Sequence, residues 1–206
     1  MSTRAAPSAL RRVGRPGDGE AVRGAILAAT LRQLEAGGSP DRVTVAAIVG
    51  EAGCTPPSLY HYWPARDLLL KEASAFGWAQ FRASQTDAVA DGLHPVERLR
   101  MRGRAYLDFA LAKPALFRVL FLEAPPGLDE TPPETGDALG DLVADVTAAM
   151  ASAQIRPADP LTTALALWSA MHGVAALWAV NPRLSSDLAR AVGDLAQDAV
   201  LAGLAP

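Results

Sequence analysis

The chain is 206 residues long, half of them hydrophobic and 20% charged, with a net charge of −3 at pH 7. That supplies enough apolar side chain for a buried core and excludes an intrinsically disordered chain. A single cysteine, Cys54, rules out an intrachain disulfide framework.

In chain order, the first segment is MSTRAAPSALRRVGRPGDGE, which lacks hydrophobic periodicity and carries Pro7, Pro16 and three glycines. Residues 1–19 therefore read as a basic arm, flexible when free. No apolar run of secretory length follows its arginines, so it is not read as an export signal. A helix is expected over Ala21 to Gly37. Next comes TVAAIVGEAGCTPPSLYHYWPARDLLL, Thr44 to Leu70. Thr44 is a good N-cap for a helix running to about Ala52, with Val45, Ile48 and Val49 on its apolar face. Gly53 suits the left-handed residue that ends a helix. Thr55 can cap a second helix with Pro56 at its first position, although Pro57 leaves that start open by one residue. Leu59 and Trp63 face inward at i, i+4, and Ser58, Tyr60, His61 and Tyr62 are left to face outward or flank a contact surface. Cys54 reads as a small hydrophobe in the turn rather than a redox sensor.

Two short helices joined by a tight turn make the layout of a helix-turn-helix, whose second helix enters the DNA major groove. The net negative charge argues against a nucleic-acid partner, but its distribution does not. Residues 1–66 hold eight arginines and five acids, a local +3, whereas the remainder carries −6. Such asymmetry points to a basic DNA module on an acidic body. Within the arm, Arg11, Arg12 and Arg15 are candidates for phosphate or minor-groove contacts; a solvated tail without contacts is the alternative.

The motif resembles that of the TetR family of transcriptional regulators. The resemblance rests on Thr44, Ala52-Gly53, Leu59-Tyr60, Tyr62-Trp63, Arg66 and Leu68 to Leu70, and with the preceding helix it covers about residues 20–72. Cys54, Trp63 and Arg66 stand where the family usually has valine, phenylalanine and lysine. The resemblance implies base or groove-edge contacts from Ser58, Tyr60 and His61 and phosphate contacts from Thr44, Tyr62 and Arg66. The candidate contact set also takes in Val45, Thr55, Pro56 and Pro57, and the proline pair could alter which bases are read.

Beyond the motif, breakers divide the body into helices at about Ala65–Val89, Pro95–Ala112, Ala115–Leu122, Gly136–Gln154, Pro160–Val180 and Ser185–Leu204, with Ala124–Thr135 as a loop. The fold expected is all-α, about nine helices, with a DNA-binding domain over 20–66 and a ligand-binding and dimerisation domain over 67–206. Leu161 to Asn181 is uncharged and long enough to span a membrane, but it contains Thr162, Thr163, Ser169, His172 and Asn181 and lacks basic flanks. It is read as a helix buried in the protein or at an interface, with no membrane partner. The last helix carries a stripe of Leu188, Val192, Leu195 and Ala199, extended by Val200 and Leu204. The preceding one offers Leu161, Leu165, Trp168, His172 and Ala175. The family resemblance implies that this helix pair builds a four-helix homodimer interface; packing within one monomer is the alternative.

Arg104 to Glu123, with the Trp-x-x-x-His-Gly pattern of Trp168, His172 and Gly173, resembles a carboxy-terminal subgroup of the same family and implies a sensing domain. Large apolar surfaces with a few polar handles mark a small-molecule site. The pocket candidates are Tyr106, Phe109, Phe117 and Phe121, together with Trp168, Met171, His172 and Trp178; core packing is the alternative for each singly. No zinc-binding pattern, phosphate loop or Gly-x-Ser-x-Gly elbow occurs, so no catalytic residue, metal or cofactor is expected. The expected function is a cytoplasmic, dimeric regulator of operator DNA, most simply a repressor released by a small, largely apolar effector. The alternatives are an effector-independent architectural DNA binder, and a helical small-molecule-binding protein or enzyme with a vestigial DNA module.

Overall fold

The computed structural model describes residues 18–37, 40–122, 133–181 and 183–206. Arg11, Arg12 and Arg15, expected to contact DNA, and most of the loop expected at 124–135 lie outside the described residues. Among the described residues there is no strand. The helices are α1 (Asp18–Gly37), α2 (Val45–Ala52), α3 (Pro56–Tyr62), α4 (Arg66–Asp87), α5 (Pro95–Ala112), α6 (Pro114–Phe117), α7 (Pro133–Ala151), α8 (Pro160–Val180) and α9 (Ser186–Gly203). A 3-10 turn at Pro40–Arg42 precedes α2, and a π turn at Arg118–Leu122 follows α6.

Local chemistry explains most boundaries. The Thr44 hydroxyl accepts from the Ala47 N–H at 3.2 Å, and Gly53 ends α2 at φ +66° with its N–H donating to Val49. Proline opens α3, α5, α6 and α8, where a missing N–H leaves no bond unmade. Two expectations change. The single helix expected at Ala115–Leu122 is one α turn passing into the wider π turn, and the next helix starts at Pro133 rather than Gly136.

The amino-terminal core joins Ile26 and Leu34 of α1, Ile48 of α2, Leu59 of α3 and Trp63 beside it. It continues past residue 66, through Leu69, Leu70 and Ala73 of α4, and receives Val119 from the π turn. Leu116, Phe117 and Leu120 of the same segment enter the body core with Trp78 and Phe81 of α4. Helix α4 thus enters both cores, as does the continuous segment formed by α6 and the π turn.

In the body, α5 is packed among α4, α7, α8 and α9. Arg100, Arg104 and Asp108 along α5 pair with Asp198, Asp194 and Arg190 along α9, a ladder at i, i+4, i+8 that fixes two antiparallel helices in register. Gly103 lets the Gln197 amide lie against α5, since a Cβ there would stand 2.2 Å from Gln197 Nε2. Helix α8 is long and apolar enough to cross a membrane, but Ala164, Leu167, Met171, Val174, Ala175 and Trp178 are buried within the protein. The stripe expected on α8 divides: Trp168, His172 and Ala175 turn inward to different depths, whereas Leu161 and Leu165 remain exposed.

Candidate functional site

Helix α3 is held by its inward side chains, Leu59 fully buried and Trp63 4% exposed. Burial on that scale contributes about 1.5–3 kcal/mol per large apolar side chain. The outward face carries exposed Pro56, Pro57, Tyr60 and His61, with Ser58 half-buried. Thr55 occupies the N-cap in extended geometry, but its hydroxyl meets Ser58 Oγ at 3.0 Å instead of capping a backbone N–H. The reason is that the first two helical positions are prolines, and the Ser58 N–H already donates to the Thr55 carbonyl at 2.9 Å.

Three of the expected phosphate ligands have partners inside the fold. Thr44 caps α2. The Tyr62 hydroxyl donates to the Gly19 carbonyl at 2.8 Å, fixing the start of α1 beside α3. Arg66 Nε donates to the Val43 carbonyl at 2.8 Å, tying the start of α4 to the entry of α2. Val45 is half-buried against the core. A further anchor was not expected: Glu72 on α4 accepts from Trp63 Nε1 at 2.7 Å and pairs with Arg23 of α1, whose guanidinium lies 5.4 Å from the Trp63 ring centre. Arg42, exposed in the turn just before α2, is another cation on this module that the motif reading passed over.

A cavity opens in the body between α4, α5, α7 and α8. Counted out to its mouth it is about 550 Å³, of which about 50 Å³ admits the centre of a water molecule. Three of the expected residues, Tyr106, Trp168 and Met171, line it. The others do not. Phe121 and His172 stand behind Tyr106, their ring centres 5.5 and 6.2 Å from its own. Phe109 and Phe117 are buried in the adjoining core. Trp178 Nε1 donates to the Ser185 carbonyl at 3.0 Å, closing the α8–α9 connection.

The polar wall was not foreseen. Arg102, Gln85 and Gln197 line the cavity and are buried. Arg102 Nε donates to Asp145 Oδ2 at 2.5 Å, and Arg98 Nη2 meets the other oxygen of the same carboxylate at 2.6 Å. The Gln85 amide bridges the α5 backbone, its NH2 facing the Arg102 carbonyl (3.1 Å) and its oxygen the Tyr106 N–H (3.0 Å). Gln197 Nε2 donates to the Leu99 carbonyl at 2.8 Å. Burial pushes the Tyr106 phenol above its ordinary range, and desolvation pushes His172 below its own. Tyr106 therefore keeps its proton and shares a hydrogen bond with Nδ1 of a neutral His172, 2.8 Å away, its direction set by the tautomer of the ring.

The remaining surface of note lies on α8 and α9. Leu165, Leu188 and Leu195 are exposed, Leu195 by 71%, and Ala199 is exposed beside a half-buried Val192. Leu161, Leu177, Val180 and Leu184 extend the apolar face. An uncovered face of this size is characteristic of an interaction surface. Among the described residues, no group of three or more His, Cys, Asp or Glu could hold a metal ion.

Comparison with known proteins matches two stretches. Residues 26–73 match the family described as bacterial regulatory proteins, tetR family. Residues 99–202, just over half of the chain, match the tetracyclin repressor-like C-terminal domain. No curated protein sequence matches. Among solved structures, a protein of unknown function from Rhodococcus sp. RHA1 is 25% identical, with a TM-score of 0.74 over 97% of this chain and 100% of its own. The regulator FadR from Bacillus subtilis, in complex with stearoyl-CoA, is 16% identical, with a TM-score of 0.69 over 84% and 97%. AibR, in complex with isovaleryl coenzyme A and operator DNA, is 22% identical, with a TM-score of 0.64 over 90% and 98%.

Proposed function

The chain belongs to the TetR family of bacterial regulatory proteins, and we propose that it is a homodimeric, cytoplasmic repressor released from operator DNA by a small effector. Ser58, Tyr60 and His61 meet the bases or groove edges. Pro56 and Pro57 lie at the entry of the reading helix, beside Thr55. Thr44, Arg66 and Tyr62 hold phosphates at its flanks, with Tyr62 exchanging its bond to Gly19 for one to DNA. Arg11, Arg12 and Arg15 add contacts from the arm.

The observation that carries this reading is the continuity of α4. Leu69, Leu70 and Ala73 are embedded in the DNA-binding core, and Trp78, Phe81 and Gln85 of the same helix wall the cavity. At 1.5 Å per residue such a helix is about 33 Å long and moves as a rod. An effector that binds better with α4 displaced biases the separation of two recognition helices, and differential affinity is all the switch requires. The α8 and α9 faces of two subunits form the interface that fixes this separation at about one turn of DNA, roughly 34–36 Å. Relatives of the same fold bound to acyl-CoA, one of them together with operator DNA, support a ligand-responsive DNA binder.

A mobility-shift titration on the DNA flanking the gene, with and without small apolar ligands, tests the proposal. Salt-dependent binding that a cavity ligand weakens is the expected outcome. DNA affinity indifferent to every ligand that binds the body would defeat the effector mechanism, and failure to prefer the flanking DNA would favour an architectural binder.

A further inference from the structure

Resting on the sensing role just described, we propose that the cavity takes a small organic anion, a carboxylate on a short aliphatic or aromatic body. Its walls are largely apolar, through Trp78, Phe81, Leu139, Leu142, Leu167 and Met171. Among the described residues, Arg102 is the only charged one lining it. Two guanidinium groups, those of Arg98 and Arg102, share the single carboxylate of Asp145. Counted together, the three groups carry a formal +1. The Arg98 side chain is 36% exposed and that of Arg102 10%, and it is Arg102 that lines the cavity, where its guanidinium offers an incoming carboxylate charge-assisted hydrogen bonds.

The hydrogen-bonding state of the other polar groups points the same way. The Gln85 amide is occupied by the α5 backbone, the Gln197 NH2 by the Leu99 carbonyl, and the Tyr106 hydroxyl by His172. Trp168 Nε1–H is a buried donor without a well-formed acceptor, reaching only weakly toward the Tyr106 hydroxyl. A ligand rich in acceptors completes its hydrogen bonding, and a cationic ligand meets Arg102 with no acid among the described lining residues to receive it. Size limits the rest of the molecule. With about 50 Å³ open to water centres inside about 550 Å³, a short chain or one ring enters by displacing the Ala138–Leu142 wall of α7, and a long acyl chain does not fit the cavity as it stands.

Isothermal titration of the full-length protein with benzoate, phenylacetate and hexanoate, each paired with its neutral amide, tests this. At least one acid should bind tenfold or more tightly than its amide, and Arg102→Gln should remove that preference, bringing the acid to the affinity of its amide in the same variant. Because Arg102→Gln leaves Asp145 with one partner fewer and could unfold the body, Trp168→Phe is the second variant. It deletes a donor without a well-formed bond in the free protein, so folding should be preserved and the acid preference should fall several-fold. Equal or tighter binding of the amides, or no binding by any of the six compounds, overturns the anion site. DNA affinity measured on the same samples separates the two ideas: acid-selective binding without any change in DNA affinity retains the anion site and refutes sensing. Amide binding that releases DNA does the reverse.

Discussion

Glu72 joins three elements through one carboxylate: it pairs with Arg23 on α1, belongs to α4, and accepts from the Trp63 indole at the end of α3. Its side chain is 29% exposed, which places its contribution in the lower part of the range for hydrogen bonds to a charged group. Glu72→Ala should cost about 1–2 kcal/mol in thermal or urea unfolding and weaken DNA binding by loosening the end of α3. Retained stability together with full DNA affinity would show that the anchor is dispensable. His172 acts differently, because desolvation holds its pKa below the ordinary histidine value. Above about pH 6.5 it is neutral in both folded and unfolded chains. As pH falls through that value the unfolded chain takes up a proton first, so stability declines and levels off only below the folded pKa. His172→Gln keeps an acceptor for Tyr106 without titrating, and chemical denaturation between pH 5 and 8 should show its stability losing that slope.

At the level of elements, the helix-turn-helix was legible in the chain because its signals are local. Thr44, Gly53 and Pro56 mark ends by caps and missing donors, and α5 and α8 begin at the prolines that announced them. The π turn was not legible, because apolar residues lie along the whole Arg118–Leu122 segment and only packing divides them, Val119 to one core and Leu120 to the other. The cavity was half legible. Tyr106, Trp168 and Met171 stood out as large apolar side chains, but the same property drew in Phe109, Phe117 and Trp178, which are core. The polar wall escaped because Gln85, Arg102 and Gln197, with Asp145 behind Arg102, come from four helices far apart in sequence, and no spacing rule links them. The α8 stripe failed at Trp168, His172 and Ala175, whose i+3 and i+4 steps drift around a helix apolar on nearly every side. The α9 stripe survives as an exposed row at Leu188, Leu195 and Ala199.

For the whole molecule, charge and symmetry set the predictions. An amino-terminal third of +3 on a body of −6 directs one end toward DNA and keeps the other away from it. Deleting residues 1–16 should weaken operator binding and reduce the salt slope by roughly 2–3 if three arginines neutralise phosphates; an unchanged slope would place the arm in solvent. Leu195, the most exposed of the large apolar residues among those described, sits on the proposed interface. Leu195→Asp should give a folded monomer in sedimentation at micromolar concentration, with operator affinity reduced roughly tenfold or more because two half-sites are no longer read together. A dimer that persists would move the interface elsewhere.

The central claim is that the outward face of α3 reads sequence. A fluorescence-anisotropy titration of the protein against the duplex flanking its own gene and against a scrambled duplex, repeated with Tyr60→Ala and His61→Ala, tests it most directly. The account predicts that the wild-type protein prefers its own duplex by roughly a thousandfold or more, and that each substitution lowers this preference while leaving binding to the scrambled duplex nearly unchanged. Equal affinity for both duplexes, or a preference untouched by either substitution, would contradict it.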